Sequence, residues 1–188
     1  MPFGSTFQNT IISFLAVGNS PSKEMTASTI ATAYLVDADL VFPTLIPGST
    51  PLTLPGSSGI EAGFLASFTL CEQLTMEPTP DAWMPAASAI VAFWAGVQFN
   101  PLIPAPGGLL GITSTVVFPG EASSLAAGIW TAMKAGTPAM SNQQGAALVA
   151  VALNTAMIAH LAQVTGLWAG TAPGVPPIPY VFPWVGAS

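Results

Sequence analysis

The prolines and glycines of this chain constrain it most, because they are clustered rather than scattered. There are 19 prolines and 18 glycines in 188 residues, and 13 of the prolines and six of the glycines fall in three segments, Leu40–Pro55, Asn100–Pro119 and Leu167–Pro183. Proline lacks an amide hydrogen and fixes φ, while glycine raises the entropic cost of ordering the backbone, so neither suits the interior of a long regular element. The chain is thereby divided into helix-length pieces joined by extended connections.

Several pieces carry explicit start signals. Ser5-Thr6-Phe7-Gln8 has the form of a capping box, in which a hydroxyl accepts from an amide three residues on and the glutamine reaches back. Phe7, Ile11, Phe14 and Leu15 then share one helical face, and Gly18 is placed to end the run. A second helix is predicted from Ser20-Pro21, carrying Ala27, Ile30, Ala31, Tyr34, Leu35 and Ala38 and stopping ahead of Pro43. Ser58-Gly59-Ile60-Glu61 is another capping box, followed at helical spacing by Ile60, Phe64, Phe68 and Cys71. A fourth helix is expected over 85–99, with Ile90, Val91, Phe93, Trp94 and Val97, closed by Asn100-Pro101. The fifth follows Pro119-Gly120, stacks Leu125, Ile129 and Met133, and ends at Lys134-Ala135-Gly136 with a cation in its last turn. The sixth opens on a capping box at Ser141-Asn142-Gln143-Gln144 and is expected to reach Thr165.

These patterns predict a mainly α chain of about six helices with Pro/Gly-rich extended arms and a small β ribbon. The β-branched run Ile112–Phe118 is the strand candidate. The predicted organisation is a helical body over 1–166 and a Pro/aromatic-rich C-terminal arm over 167–188. Val-Phe-Pro recurs at 41–43, 117–119 and 181–183, once in each connecting segment, which hints at a decayed helical-hairpin repeat.

Charge is the second constraint. Two basic and eight acidic residues leave a formal charge of −6, and only 5% of the chain is charged, against about 25% in an ordinary domain. With Lys23 and Lys134 as its only Lys or Arg residues, the chain cannot neutralise a row of phosphates, which excludes nucleic-acid binding. A hydrophobic fraction of 51% with a mean hydropathy of +0.64 argues for a packed core rather than disorder. The apolar stretch Ile11–Val17 has no Lys or Arg before it, so no signal peptide is expected.

Residues with catalytic potential are few. His160 is the one histidine, within Ala156-Met157-Ile158-Ala159-His160-Leu161, and reads as a polar position on a packed helix rather than a general base. Asp37, Asp39 or Asp81 would orient it only by accident of folding, and no Gly-x-Ser-x-Gly elbow is present. Cys71 continues the stripe of Phe64 and Phe68, as a buried thiol does, beside Glu72, which disfavours a thiolate. Asp37-Ala38-Asp39 reads as a solvated helix end rather than a calcium site, since a helix points the two side chains to different faces. Gly56-Ser57-Ser58-Gly59 lacks the lysine and spacing of a phosphate loop. No catalytic residue, metal or cofactor is expected.

A membrane-associated or pore-forming oligomer using Ala86–Phe99 and Ala146–Ala169 is the alternative. It is disfavoured because the second segment splits into an apolar stripe of Leu153, Met157, Leu161 and Val164 and a small neutral face of Ala152, Thr155, Ala156, Ala159 and Gln163. Soluble monomers mix both signs of charge over their surface. A neutral surface of Ser, Thr, Asn, Gln and Ala fits instead a chain covered by other protein copies, as interfaces of permanent assemblies are depleted in charge. The C-terminal segment adds Trp168, Tyr180, Phe182 and Trp184 as bulky candidate interface anchors on a proline-stiffened arm, folded back on its own body or docked in a neighbour.

From Ser141 to Ser188 a long neutral helix runs into Gly-Thr-Ala-Pro-Gly-Val-Pro-Pro-Ile-Pro. With the Ala/Thr-rich body and the scarcity of lysine, this resembles the small structural proteins of tailed-bacteriophage virions. The resemblance is one of style and assigns no residue a role. It implies a non-enzymatic virion component at the neck, tail or baseplate, assembled in the host cytoplasm as a homo-oligomer with other particle proteins.

Overall fold

The structure, a computed structural model, describes residues 4–16, 21–45, 50–100, 110–136, 141–172 and 178–185. It is mainly α, with six α-helices: α1 (Ser5–Ala16), α2 (Lys23–Leu45), α3 (Ser58–Gln73), α4 (Met84–Ala95), α5 (Ala122–Ala135) and α6 (Asn142–Leu161). Each helix packs on its neighbours in sequence and α6 closes on α1, so the contacts form a ring of alternating up and down helices. A single 3-10 turn, Pro80–Trp83, leads into α4.

The apolar stripes fall where the spacing places them. Phe7, Ile11, Tyr34, Ile60, Phe64, Ile90, Leu153 and Met157 are fully buried, each stabilising by about 2 kcal/mol. Tyr34 is the hub of this core. Its ring meets Phe7 of α1 and Phe93 of α4 edge-on, and its hydroxyl accepts from Trp94 Nε1 at 2.7 Å. Small residues bring neighbouring helices together: a Cβ on Gly128 of α5 would lie 2.8 Å from the Ala156 methyl of α6, and one on Gly63 of α3 would lie 2.7 Å from the Pro85 carbonyl of α4.

The connections after α2, α4 and α6 are strands: β1 (Thr50–Thr53), β2 (Gln98–Asn100), β3 (Leu110–Phe118), β4 (Thr165–Ala172) and β5 (Ile178–Val185). They form one antiparallel sheet in the order β1-β2-β3-β4-β5. Two antiparallel helices return the chain to the end it left, so strands separated by a helical hairpin can still pair as neighbours. The β portion is thus a five-stranded sheet, more extensive than a ribbon around Ile112–Phe118, and all of it lies at one end of the helical ring. The segment expected as an arm, 167–188, contributes most of β4 and all of β5, paired in register from Thr165↔Val185 to Ala172↔Ile178. Its Pro173, Pro176 and Pro177 lie outside the described residues, as do Gly18 and Ser20.

Several boundaries differ from expectation for physical reasons. Helix α2 starts at Lys23, where the Ser22 hydroxyl accepts from Met25 N at 3.3 Å, and it runs through Pro43 to Leu45. Pro43 lies two residues before that end, so its missing amide hydrogen removes one backbone bond, in the last turn only. Helix α4 stops at Gly96, freeing Gln98–Asn100 for β2, and α6 stops at Leu161, so Thr165 opens β4. The three Val-Phe-Pro runs occupy a helix end, a strand end and a strand. The three helical hairpins are real, but the tripeptide does not mark equivalent positions in them.

Candidate functional site

Helix N-termini leave amide groups unsatisfied, and at three of the six helices here a side chain distant in sequence meets one of them. Asp37 of α2 accepts from Gly4 N at 2.9 Å and Phe7 N at 2.8 Å, capping α1 with a carboxylate that is 2% exposed. This corrects two expectations: Asp37 is not on a solvated helix end, and the Ser5 hydroxyl is not the acceptor for the start of α1. Gln8 instead accepts from Asn154 Nδ2 of α6. Ser67 of α3, fully buried, accepts from Ala86 N in the first turn of α4. Gln163 accepts from Glu121 N at the start of α5. The Ser58 box also fails, since no side chain caps α3. Only the Ser141 box holds in part, its hydroxyl accepting from Gln144 N at 3.2 Å. Asp39 is exposed, on a different face from Asp37 as helical geometry requires.

His160 is 1% exposed, and neither ring nitrogen has a full hydrogen-bond partner. Burial drives its imidazole down to about 4, opposed only in part by the Pro119 backbone. The ring packs against Gly120, whose φ of +90° turns the chain from β3 into α5. Cys71 is partly buried and free, and burial pushes its thiol up, away from the reactive thiolate. Among the described residues no three His, Cys, Asp or Glu side chains gather where they could hold a metal ion.

The four expected interface anchors come together on the sheet. Trp168 pairs with Phe182, Tyr180 with Gly170 and Trp184 with Gly166, so the register sets all four on one face of β4–β5. The side chains of the four lie outside what is described.

The charges are divided between the two ends of the ring. Both lysines lie at the end away from the sheet, each paired within the chain: Lys23 with Glu72 at 2.6 Å and Lys134 with Glu77 at 2.7 Å. The sheet end carries Asp39, Glu61 and Glu121 besides buried Asp37, and no lysine. Between the ends, the outer wall of α6, α1 and α2 is neutral. It exposes Leu148 at 51% and Val151 at 48% on α6. Between α1 and α2 it opens a groove of about 280 Å³ lined by Thr6, Thr10, Ser28, Thr29, Thr32, Ala33 and Val36. No sequence signal marks this groove, and Asp37 reads in sequence as part of a solvated helix end, which its burial contradicts. For Asp37 a signal was present, since it falls on the same helical stripe as Ile30 and Tyr34.

Among the described residues one helix, Asn142–Leu161, is long and apolar enough to cross a membrane, with one third of its span buried in the fold. The longer segment Ala146–Ala169 is not a continuous helix, because β4 begins at Thr165. No protein-family model matches the chain, and neither does any curated protein or solved structure.

Proposed function

We propose that this chain is a non-enzymatic structural subunit, assembling with copies of itself and with other proteins into a larger particle, with a tailed-bacteriophage virion as its context. The observation that carries the reading is the neutral wall of α6, α1 and α2, on which Leu148 and Val151 stand about half exposed. A solitary soluble domain keeps such a wall charged, whereas a subunit covered by neighbours does not need to. The non-enzymatic part is supported by His160 and Cys71. A histidine sealed from solvent and held neutral by burial has no access to a substrate, and a thiol pushed up is a poor nucleophile. The virion context rests on the resemblance of 141–188 and of the overall composition.

The test is the native mass of the purified chain without detergent, by size-exclusion chromatography with light scattering, alongside negative-stain images. Discrete rings or regular polymers are expected. A monomer at every concentration counts against self-assembly. Material that disperses only in detergent and floats with liposomes favours the membrane-associated oligomer, for which the composition of α6 is the support. Deleting 171–188 would strip β5 from the sheet, so point substitutions are the cleaner probes of the assembly surface.

A further inference from the structure

Among the described residues, His160 is the buried titratable side chain with no polar atom partnered, and it sits where the helices hand the chain to the sheet. The last turn of α6 holds it, just ahead of β4. Against its ring lies Gly120, in the corner that leads from β3 into α5. The two crossings are side by side, since Phe118 at the end of β3 pairs with Thr165 at the start of β4. One clasp of side chains bridges them. Gln163 accepts from Glu121 N at 3.0 Å and donates to Ser124 Oγ at 3.3 Å, and Ser124 Oγ donates to the Glu121 carbonyl at 3.1 Å. These bonds are exposed, so water replaces them at little net cost. Elsewhere the sheet meets the helices chiefly through β3 on α4 and β1 on α2.

A neutral imidazole tolerates this place better than an imidazolium, which brings a charge and a second N–H donor that burial leaves unmet. Helix α6 packs on α5 and α1. α1 has no titratable side chain, and α5 has Lys134 only, paired with Glu77 at the opposite end of the ring. Glu121, which precedes α5 at the corner, is exposed, and β3 and β4 carry no charge. No carboxylate inside the fold receives the proton's charge, so the ring must reach water to take it up. Gly120 covers the imidazole with backbone alone, so lifting the corner uncovers the ring without moving the buried side chains of Phe7, Tyr34 and Ile90. We propose that this joint is an acid-sensitive hinge: protonation of His160 drives the 119–121 corner off the end of α6 and loosens the sheet from the helical ring, which keeps its own packing. The opened form is a local one, reached at lower cost than unfolding of the whole chain. Its population rises as pH falls, because the open ring binds a proton that the closed ring refuses.

The experiment is residue-resolved amide hydrogen exchange of the full chain at pH 7.5 and 5.0, with and without low urea, corrected for the intrinsic exchange rate. The reporters are Glu121 N, bonded to Gln163, and Val164 N, bonded to the Leu161 carbonyl. The amides of Tyr34 and Ile90 stand for the core. Opening at the reporters is expected to be indifferent to low urea, whereas exchange of the core amides follows global unfolding and rises with it. With the ring titrating at about 4 when closed and near 6.5 when open, reporter opening is expected to rise about 25-fold from pH 7.5 to 5.0. His160→Gln is expected to abolish that rise. Gln163→Ala, which removes the clasp, is expected to raise opening at both pH values and to keep their ratio. Reporters that exchange only at the urea-dependent rate of the core overturn the hinge, as does a urea-independent opening equal at the two pH values. The same rise in His160→Gln overturns the role of the histidine. Far-UV circular dichroism checks that both variants fold, and the comparisons of urea and pH in the unmodified chain test the proposal without either.

Discussion

The Asp37 carboxylate accepts the amide of Phe7 at 2.8 Å across 30 residues of sequence, tying the first helix of the ring to the second. The same oxygen takes the Gly4 amide, so one buried side chain satisfies two donors of an α-helix N-terminus. A charged acceptor there is also favoured by the helix dipole. Asp37→Ala leaves both amides buried and unmet, and is expected to lower unfolding stability by about 3 kcal/mol. Asp37→Asn keeps an oxygen without the charge and is expected to lose about half as much. Urea denaturation of the three proteins checks the order, and equal stability of all three would show that α1 is held by something else.

Gly120 and His160 form the second long-range joint, between the start of α5 and the end of α6. A side chain on Gly120 would collide with the imidazole and would force φ of +90° on an L-residue. Gly120→Ala is expected to cost about 2 to 4 kcal/mol. Adding His160→Ala to it relieves the collision but not the backbone strain, so the double variant should be more stable than the sum of the two single losses predicts. Strict additivity in a thermal or urea double-mutant cycle would count against direct contact.

The same histidine makes stability depend on pH in one direction. Its imidazole titrates at about 4 in the fold and near 6.5 in an unfolded chain. The unfolded state therefore takes up the proton first as pH falls. Stability from this group is constant above about pH 6.5, declines between about 6.5 and 4, and levels off below, for a total of about 3 kcal/mol. His160→Gln removes that decline. Unfolding free energies at pH 7.5 and 4.5 should diverge for the unmodified chain by about 2 to 3 kcal/mol more than for the variant.

At the end away from the sheet, Trp130 donates from Nε1 to the Pro78 carbonyl at 2.7 Å, and Lys134 stands 4.6 Å above its ring while pairing with Glu77. The ion pair is exposed on both sides, so Lys134→Ala is expected to cost less than about 1 kcal/mol, and less still in high salt. Trp130→Phe removes the hydrogen bond and leaves a partly buried carbonyl, for about 1 kcal/mol that salt does not change. Denaturation at low and high ionic strength separates the two, and a large salt-sensitive loss for Lys134→Ala would contradict this ranking.

Six helices and the best strand were legible because their signals are local. The stripes of Phe7 and Ile11, of Ile60 and Phe64, and of Leu153 and Met157 recur every three or four residues, and each is buried. The β-branched run at 112–118 is in β3. Helix ends were less legible. Ser5 and Ser58 have the right neighbours for capping boxes, yet α1 takes its acceptor from α2 and α3 has no side-chain cap. The amide that the Ser5 box would serve, Gln8 N, donates instead to the Gly4 carbonyl at 3.0 Å, while the buried Asp37 carboxylate takes the Gly4 and Phe7 amides.

The anchors Trp168, Tyr180, Phe182 and Trp184 show the same division. Their composition marks a structured segment, but that they share one face of a paired hairpin follows from the register of β4 with β5. By itself, then, the sequence determined the helical pieces, their buried faces and the neutrality of the surface, since periodicity and composition are properties of short stretches of chain. Only the tertiary structure decided that α6 closes on α1, that the connections join into one five-stranded sheet and that Asp37 serves a helix 30 residues away. Those outcomes depend on which distant groups pack together, and helical hairpins inserted between strands leave no local trace of the partner each strand will find.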